Sequence, residues 1–88
     1  MKDQTTTHHV TLRHAGVTDA LSLERLAALD SAPTPNQPAL LAEVDGRLRA
    51  ALPLDGGDPI ADPFYRSAEL VELLRVRAQQ LAIDRRRA

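Results

Sequence analysis

Two adjacent residues, Asp45 and Gly46, constrain most strongly what this chain can fold into. An Asp-Gly pair tolerates the positive φ angles of a two-residue β-hairpin turn, and this pair separates two apolar runs. A second turn signal, Asp55-Gly56-Gly57-Asp58, follows shortly afterwards. The segment 38–62 is therefore predicted to form a meander of three antiparallel strands.

The two faces of this meander differ in their predicted character. One face is apolar and the other is mixed, with Ala39, Leu41 and Ala51 among charged neighbours. Members of the apolar face are Leu40, Ala42, Val44, Leu48, Ala50, Leu52 and Leu54. Pro53 and Pro59 lack an amide N–H, so pairing between 47–54 and 59–62 should be short, bulged or at a sheet edge.

Two amphipathic segments flank the meander. After a short alternating strand at 9–14, apolar residues recur at helical spacing over 17–30, with Thr18 as a possible acceptor for the first helical amides. A longer helix is predicted to begin after Ser67, a good N-cap residue. The resulting order is β-α-β-β-β-α, which predicts an α+β fold with a small antiparallel sheet packed with two helices.

Length and composition limit the domain organisation and the location. We expect a disordered tail at 1–7, one domain at 8–84 and a basic tail at 85–88. The 88 residues include no cysteine and no apolar run long enough to span a membrane, which favours a cytoplasmic protein with no membrane partner. The formal net charge of −1 provides no overall field for nucleic acid.

Three segments resemble the amino-terminal half of GNAT-family N-acetyltransferases. They are Val-Thr-Leu-Arg-His-Ala-Gly-Val-Thr-Asp-Ala at 10–20, Leu-Leu-Ala-Glu-Val-Asp-Gly-Arg-Leu at 40–48 and Ile-Ala-Asp-Pro-Phe at 60–64. In that family a first strand enters a helix, and a hairpin leads to the strand beside the pantetheine arm of acetyl-CoA. The resemblance covers roughly 9–82 and implies a GNAT-like half-domain.

The chain departs from the family at the position of the acetyl-CoA pyrophosphate loop. Segment 62–69 contains no glycine, Pro63 removes one amide, and Asp62 and Glu69 would repel an anion. The resemblance thus implies a relative without the cofactor cradle and without a cofactor. Under the alternative that acyl-CoA does bind, the candidate residues are Ile60, Ala61, Asp62, Tyr65 and Arg66.

Other possible sites have plainer interpretations. His8, His9 and His14 have no acidic residue at a ligand spacing, so no metal site is predicted. The segment 55–58 lacks the alternating oxygen ligands of a calcium loop and is interpreted as a turn. Arg75, Arg77 and 85–87 are interpreted as a solvated helix end, since no aromatic stacking group accompanies them.

The function predicted from these observations is a non-catalytic GNAT-like interaction module, a homodimer or a partner of another protein. The expected contact surfaces are the mixed face of the meander and the apolar surplus of the last helix. Candidate interface residues are Leu41, Ala51, Phe64 and Tyr65, although Phe64 and Tyr65 are favoured as a hydrophobic plug where sheet and helix meet. No catalytic residue is proposed. An N-acetyltransferase whose cleft is truncated or completed by a second chain is the alternative, and a small regulator that contacts nucleic acid is a weaker one.

Overall fold

The chain forms the predicted α+β fold, with the predicted order of elements. The computed structural model describes residues 9–87, so the predicted tail at 1–7 lies outside the described residues. The elements are β1 (Val10–His14), a 3-10 turn (Val17–Asp19), α1 (Ala20–Leu29), β2 (Ala39–Val44), β3 (Arg47–Pro53), β4 (Ile60–Ala61) and α2 (Ala68–Arg87).

The four described strands form one antiparallel sheet in the order β1-β2-β3-β4. The predicted hairpin turn is confirmed, because Asp45 and Gly46 have φ angles of 52° and 85°. Strand β4 pairs with β3 only at Ala50 with Ala61 and at Ala51 with Ile60. The third strand of the meander is therefore a short edge strand, as the flanking prolines predicted.

The central strands β2 and β3 are buried on both faces over most of their length, because one helix covers each face. On one face α2 contributes Leu70 and Leu74, and on the other α1 contributes three residues to a second cluster. The first cluster also holds Leu40, Ala42, Val44, Ala50 and Leu52, and the second holds Leu23, Leu26, Ala27, Leu41, Ala51 and Ile60. The face that was predicted to be mixed is therefore covered within the domain itself, and its residues Ala39, Leu41 and Ala51 are 0% exposed.

A β-bulge in the hairpin changes the predicted alternation. Ala42 pairs with Ala50, but Glu43 pairs with Leu48, so Arg49 is the extra residue on β3. Beyond the bulge, Leu48 packs on the α1 side of the sheet rather than on the predicted apolar face. The bulge also leaves Arg49 outside the pairing register, next to the start of α2.

The helix termini differ from the predictions in detail. Thr18 lies within the 3-10 turn, and the Asp19 carboxylate instead accepts the Gly16 N–H at 2.6 Å. Ser67 does precede α2, but its hydroxyl donates to the Asp62 carbonyl at 3.1 Å. Helix α2 continues through 85–87, so the basic residues predicted at the end of the helix lie within it.

Candidate interaction surface and the connection from β4 to α2

The residues predicted to contact acyl-CoA lie on β4 and on the connection to α2, but in unlike surroundings. Ile60 is 3% exposed in the cluster beneath α1, and Ala61 donates its N–H to the Asp30 carboxylate at 3.1 Å. Asp62 is 5% exposed, Tyr65 is half-buried and Arg66 is exposed. The structure therefore does not gather these five side chains around one accessible cavity.

Asp62 and Arg49 form the central ion pair of this region. Arg49 Nη1 donates to Asp62 Oδ2 at 2.7 Å, and the Asp62 N–H donates to the Arg49 carbonyl at 2.8 Å. The Arg49 guanidinium also lies over the Tyr65 ring, 4.6 Å from its centroid, in a cation–π contact. These contacts join β3, β4 and the start of α2.

In the same connection, backbone N–H groups that could bind an anion already donate hydrogen bonds within the chain. The Phe64 N–H donates to Asp62 Oδ1 at 2.8 Å, and the Tyr65 N–H donates to the Asp62 carbonyl at 3.2 Å. Pro63 has no N–H to donate. Three consecutive positions, 63–65, consequently present no free amide to a diphosphate.

A second charged network lies on the opposite side of the sheet. Arg13 donates to Asp19 through two bonds of 2.8 Å and to Glu43 at 3.0 Å. The hydrogen bonds from Arg13 and from the Gly16 N–H lower the pKa of Asp19 to about 2. This network joins β1 and β2 to the start of α1, and we interpret it as structural.

The remaining candidate sites keep their plainer interpretations. Asp55 accepts the Gly57 N–H at 2.9 Å and Gly56 has a φ of 93°, so this segment is the predicted turn. His9 and His14 are exposed, and His8 lies outside the described residues. Within the described range, no three His, Cys, Asp or Glu side chains are grouped as metal ligands would be.

Of the four predicted interface residues, only the two in the loop before α2 are accessible. Leu41 and Ala51 are 0% exposed, because α1 covers their face of the sheet. Phe64 is 85% exposed, so it does not form the predicted plug, whereas Tyr65 packs partly against the α2-side cluster. Phe64 therefore stays a candidate for contact with a partner.

The outer side of α2 carries exposed apolar residues, on the helix whose apolar surplus was predicted to be a contact surface. Leu73, Val76 and Ile83 are 46%, 62% and 50% exposed, and with Gln80 they follow a spacing of three, four and three residues. This is the a/d spacing of a coiled-coil heptad, and it puts the four residues on one side of the helix. We call these four residues the outer stripe. The sequence analysis predicted an apolar surplus on this helix but did not name the residues that form it.

Comparisons with known proteins add no relative to these observations. No protein-family model matches the chain, and searches of curated proteins and of solved structures find no match either. None of the described helices is both long enough and apolar enough to cross a bilayer.

Proposed function

We propose that this chain is a non-catalytic, GNAT-like interaction module of the cytoplasm that forms a homodimer through the outer stripe of α2. The observation that carries the proposal is the exposure of three large apolar side chains at heptad spacing on a helix whose other side is already packed. Apolar stripes at this spacing are typical of helices that pair with another helix. A second copy of the chain offers the same stripe.

The charges beside the outer stripe favour an antiparallel pair of helices. Glu72 and Arg86 are fourteen residues apart, nearly four helical turns, so they lie along the same flank of the stripe. Arg77 and Asp84 lie along the other flank. When two copies run antiparallel about the middle of the stripe, Glu72 meets Arg86 of the second copy and Arg77 meets its Asp84. Both flanks are then complementary in charge.

The size of the surface predicts a weak dimer. A helix of 20 residues is ~30 Å long, and a stripe ~10 Å wide would bury ~300 Å² on each partner. Stable interfaces bury about 800 Å² on each partner, so we expect a dissociation constant on the order of 100 μM. Self-association must therefore be measured at protein concentrations up to about 1 mM.

A matched pair of double variants tests the proposal by sedimentation equilibrium. Leu73→Glu with Ile83→Glu introduces two charges into the outer stripe and should leave the protein monomeric throughout the concentration range. Leu21→Glu with Leu29→Glu makes the same change on α1, where the residues are 57% and 47% exposed, and should preserve the dimer. A monomeric wild-type protein at about 1 mM, or equal association of both variants, contradicts the proposal.

A charge exchange tests the antiparallel arrangement. Glu72→Arg should weaken the dimer, because position 72 of each copy then sets an arginine against Arg86 of the other copy. Adding Arg86→Glu to the same chain should restore the dimer. In a parallel pair Glu72 would instead meet Arg77 of the second copy. Restoration by Arg77→Glu rather than by Arg86→Glu would reject the antiparallel arrangement.

The acetyltransferase alternative is disfavoured by the connection from β4 to α2. The ion pair of Asp62 with Arg49 and the occupied amides of Phe64 and Tyr65 leave little there to hold a diphosphate. Calorimetric titration with acetyl-CoA is the direct test. We expect no heat of binding, and micromolar affinity would overturn the non-catalytic interpretation.

The nucleic-acid alternative receives no support from the arrangement of the α2 arginines. Arg75 and Arg86 share one side of the helix by their spacing, whereas Arg77 and Arg85 lie on two other sides. Such a distribution does not form a continuous basic face. We expect only weak binding to duplex DNA, and a steep dependence of that affinity on salt concentration would argue for the regulator instead.

A further inference from the structure

A groove lies along the inner side of α2, away from the outer stripe. It runs between the second half of the helix, the end of β3 and the loop that leads to β4, and it encloses about 450 Å³. Small-molecule sites in proteins occupy about 300–1,000 Å³, so the groove is large enough for a ligand rather than for a few waters.

The floor of the groove is apolar and already packed. Leu52 is 7% exposed within the α2-side cluster, and Leu54 and Leu81 pack against the same cluster. The side chains that support the floor are therefore held in place by the core. A ligand that enters the groove would bury apolar surface without ordering the floor first.

The described residues at the rim of the groove are basic or neutral. His14, Arg75 and Arg85 line it, and no acidic residue between positions 9 and 87 does. Arg75 has one ion pair, a 3.7 Å contact from Nε to Glu72, and Arg85 forms none within the described part of the chain. Both guanidinium groups are thus accessible to a carboxylate, which they bind in a bidentate geometry.

From this combination we infer that the groove binds a small amphiphilic carboxylate, with its apolar tail on the leucine floor and its carboxylate at Arg75 or at Arg85, which lie about 15 Å apart along α2. An apolar floor alone would accept any tail of suitable length. The two arginines, together with a lining that holds no acidic side chain in the described part of the chain, select a negative head group. This binding is separate from dimer formation, since it uses the opposite side of α2.

The test is a titration of the isotope-labelled protein with sodium octanoate, followed by amide chemical shifts. Residues at the groove should shift in a saturable manner below about 10 mM ligand. Octylammonium, which has the same tail and the opposite charge, should not reproduce these shifts. Sodium acetate, which has the head group without the tail, should not reproduce them either.

A matched pair of variants separates the groove from general charge effects. Arg75→Gln with Arg85→Gln removes the two rim arginines and should weaken octanoate binding at least about fivefold. Arg25→Gln with Arg47→Gln removes the same charge from exposed positions outside both the groove and the outer stripe, and should leave binding within about twofold of the wild type. Ala82→Phe, a change at an exposed position of the groove wall, should block the tail.

Three results would overturn this inference. They are the absence of saturable shifts with octanoate, equal binding of octylammonium, and equal losses in the two double-arginine variants. The dimer is tested separately, by sedimentation equilibrium of the outer-stripe variants. Rejection of ligand binding in the groove can therefore be distinguished from rejection of the dimer.

Discussion

The inner and outer sides of α2 carry similar side chains and have opposite surroundings. Leu70 and Leu74 on the inner side are 5% and 0% exposed, whereas Leu73 and Val76 on the outer side are 46% and 62% exposed. Residue type alone does not distinguish the two sides. What distinguishes them is that β2 and β3 meet the helix on one side only.

This contrast teaches how the apolar residues of a small domain divide between folding and association. A helix that only needed to cover the sheet would carry polar residues on its outer side, since each exposed leucine there adds nothing to the core. The apolar outer stripe is therefore surplus to the fold. The inner groove adds a third environment, in which apolar floor and charged rim meet.

Truncating one leucine on each side gives the largest expected difference. Leu74→Ala should lower the free energy of unfolding by about 3 kcal/mol, because the fully buried side chain leaves a cavity. Leu73→Ala should lower it by less than about 0.5 kcal/mol, since nearly half of that side chain is exposed. Urea denaturation of dilute, monomeric protein measures both values. Equal losses would abolish the contrast between the two sides.

The hairpin and the order of elements could be predicted from the sequence because their causes are local. The Asp45-Gly46 turn depends on the φ angles of two residues, and the short β4 depends on neighbouring prolines. Alternation did not predict the faces of the sheet, because β2 and β3 are buried on both sides. Neighbouring small apolar residues such as Ala50 and Ala51 point to opposite faces, and both are buried.

The candidate surfaces depended on tertiary contacts and were mostly beyond prediction. No local pattern reveals that Arg49 occupies a bulge or that its partner is Asp62, thirteen residues away. The groove likewise exists only when the end of β3 lies beside α2. The outer stripe is the exception, because its heptad spacing can be read from the sequence. Which side of α2 faces the sheet, however, is known only from the tertiary structure.

The ion pair of Arg49 with Asp62 should fix which side of α2 faces inward. Asp62→Ala removes the acceptor of Arg49 Nη1 and of the Phe64 N–H, and leaves a largely buried guanidinium unpaired. We expect a loss of about 2–3 kcal/mol in unfolding free energy, measured by urea denaturation. Asp58→Ala, at an exposed position of the preceding loop, is the control and should be nearly neutral. A neutral Asp62→Ala would mean that packing alone orients the helix.

Replacing the one polar member of the outer stripe should sharpen the contrast. Gln80→Leu completes an apolar seam, and we expect it to tighten the dimer about tenfold while leaving the stability of the monomer nearly unchanged. Sedimentation equilibrium measures the association. Gln79→Leu, one position away on the groove side, is the control for added surface hydrophobicity. If both variants tighten association equally, the outer stripe is not a specific surface.

The smallest expected effect is a pH dependence of folding stability that arises from Asp19, at the start of α1. It should not change the packing of either side of α2. Because Asp19 has a folded pKa of about 2, below its unfolded value, the contribution of its carboxylate is present above pH 4 and is lost as the pH falls toward 2. Arg13 is partly solvated, so we discount this contribution to about 1 kcal/mol. Asp19→Asn should lower the melting temperature at pH 6 and flatten its decline between pH 4 and pH 2. If the melting temperature of Asp19→Asn declines as steeply as that of the wild type, the acid sensitivity arises from other carboxylates. Glu24→Gln, at an exposed position of α1 outside the Arg13 network, is the control.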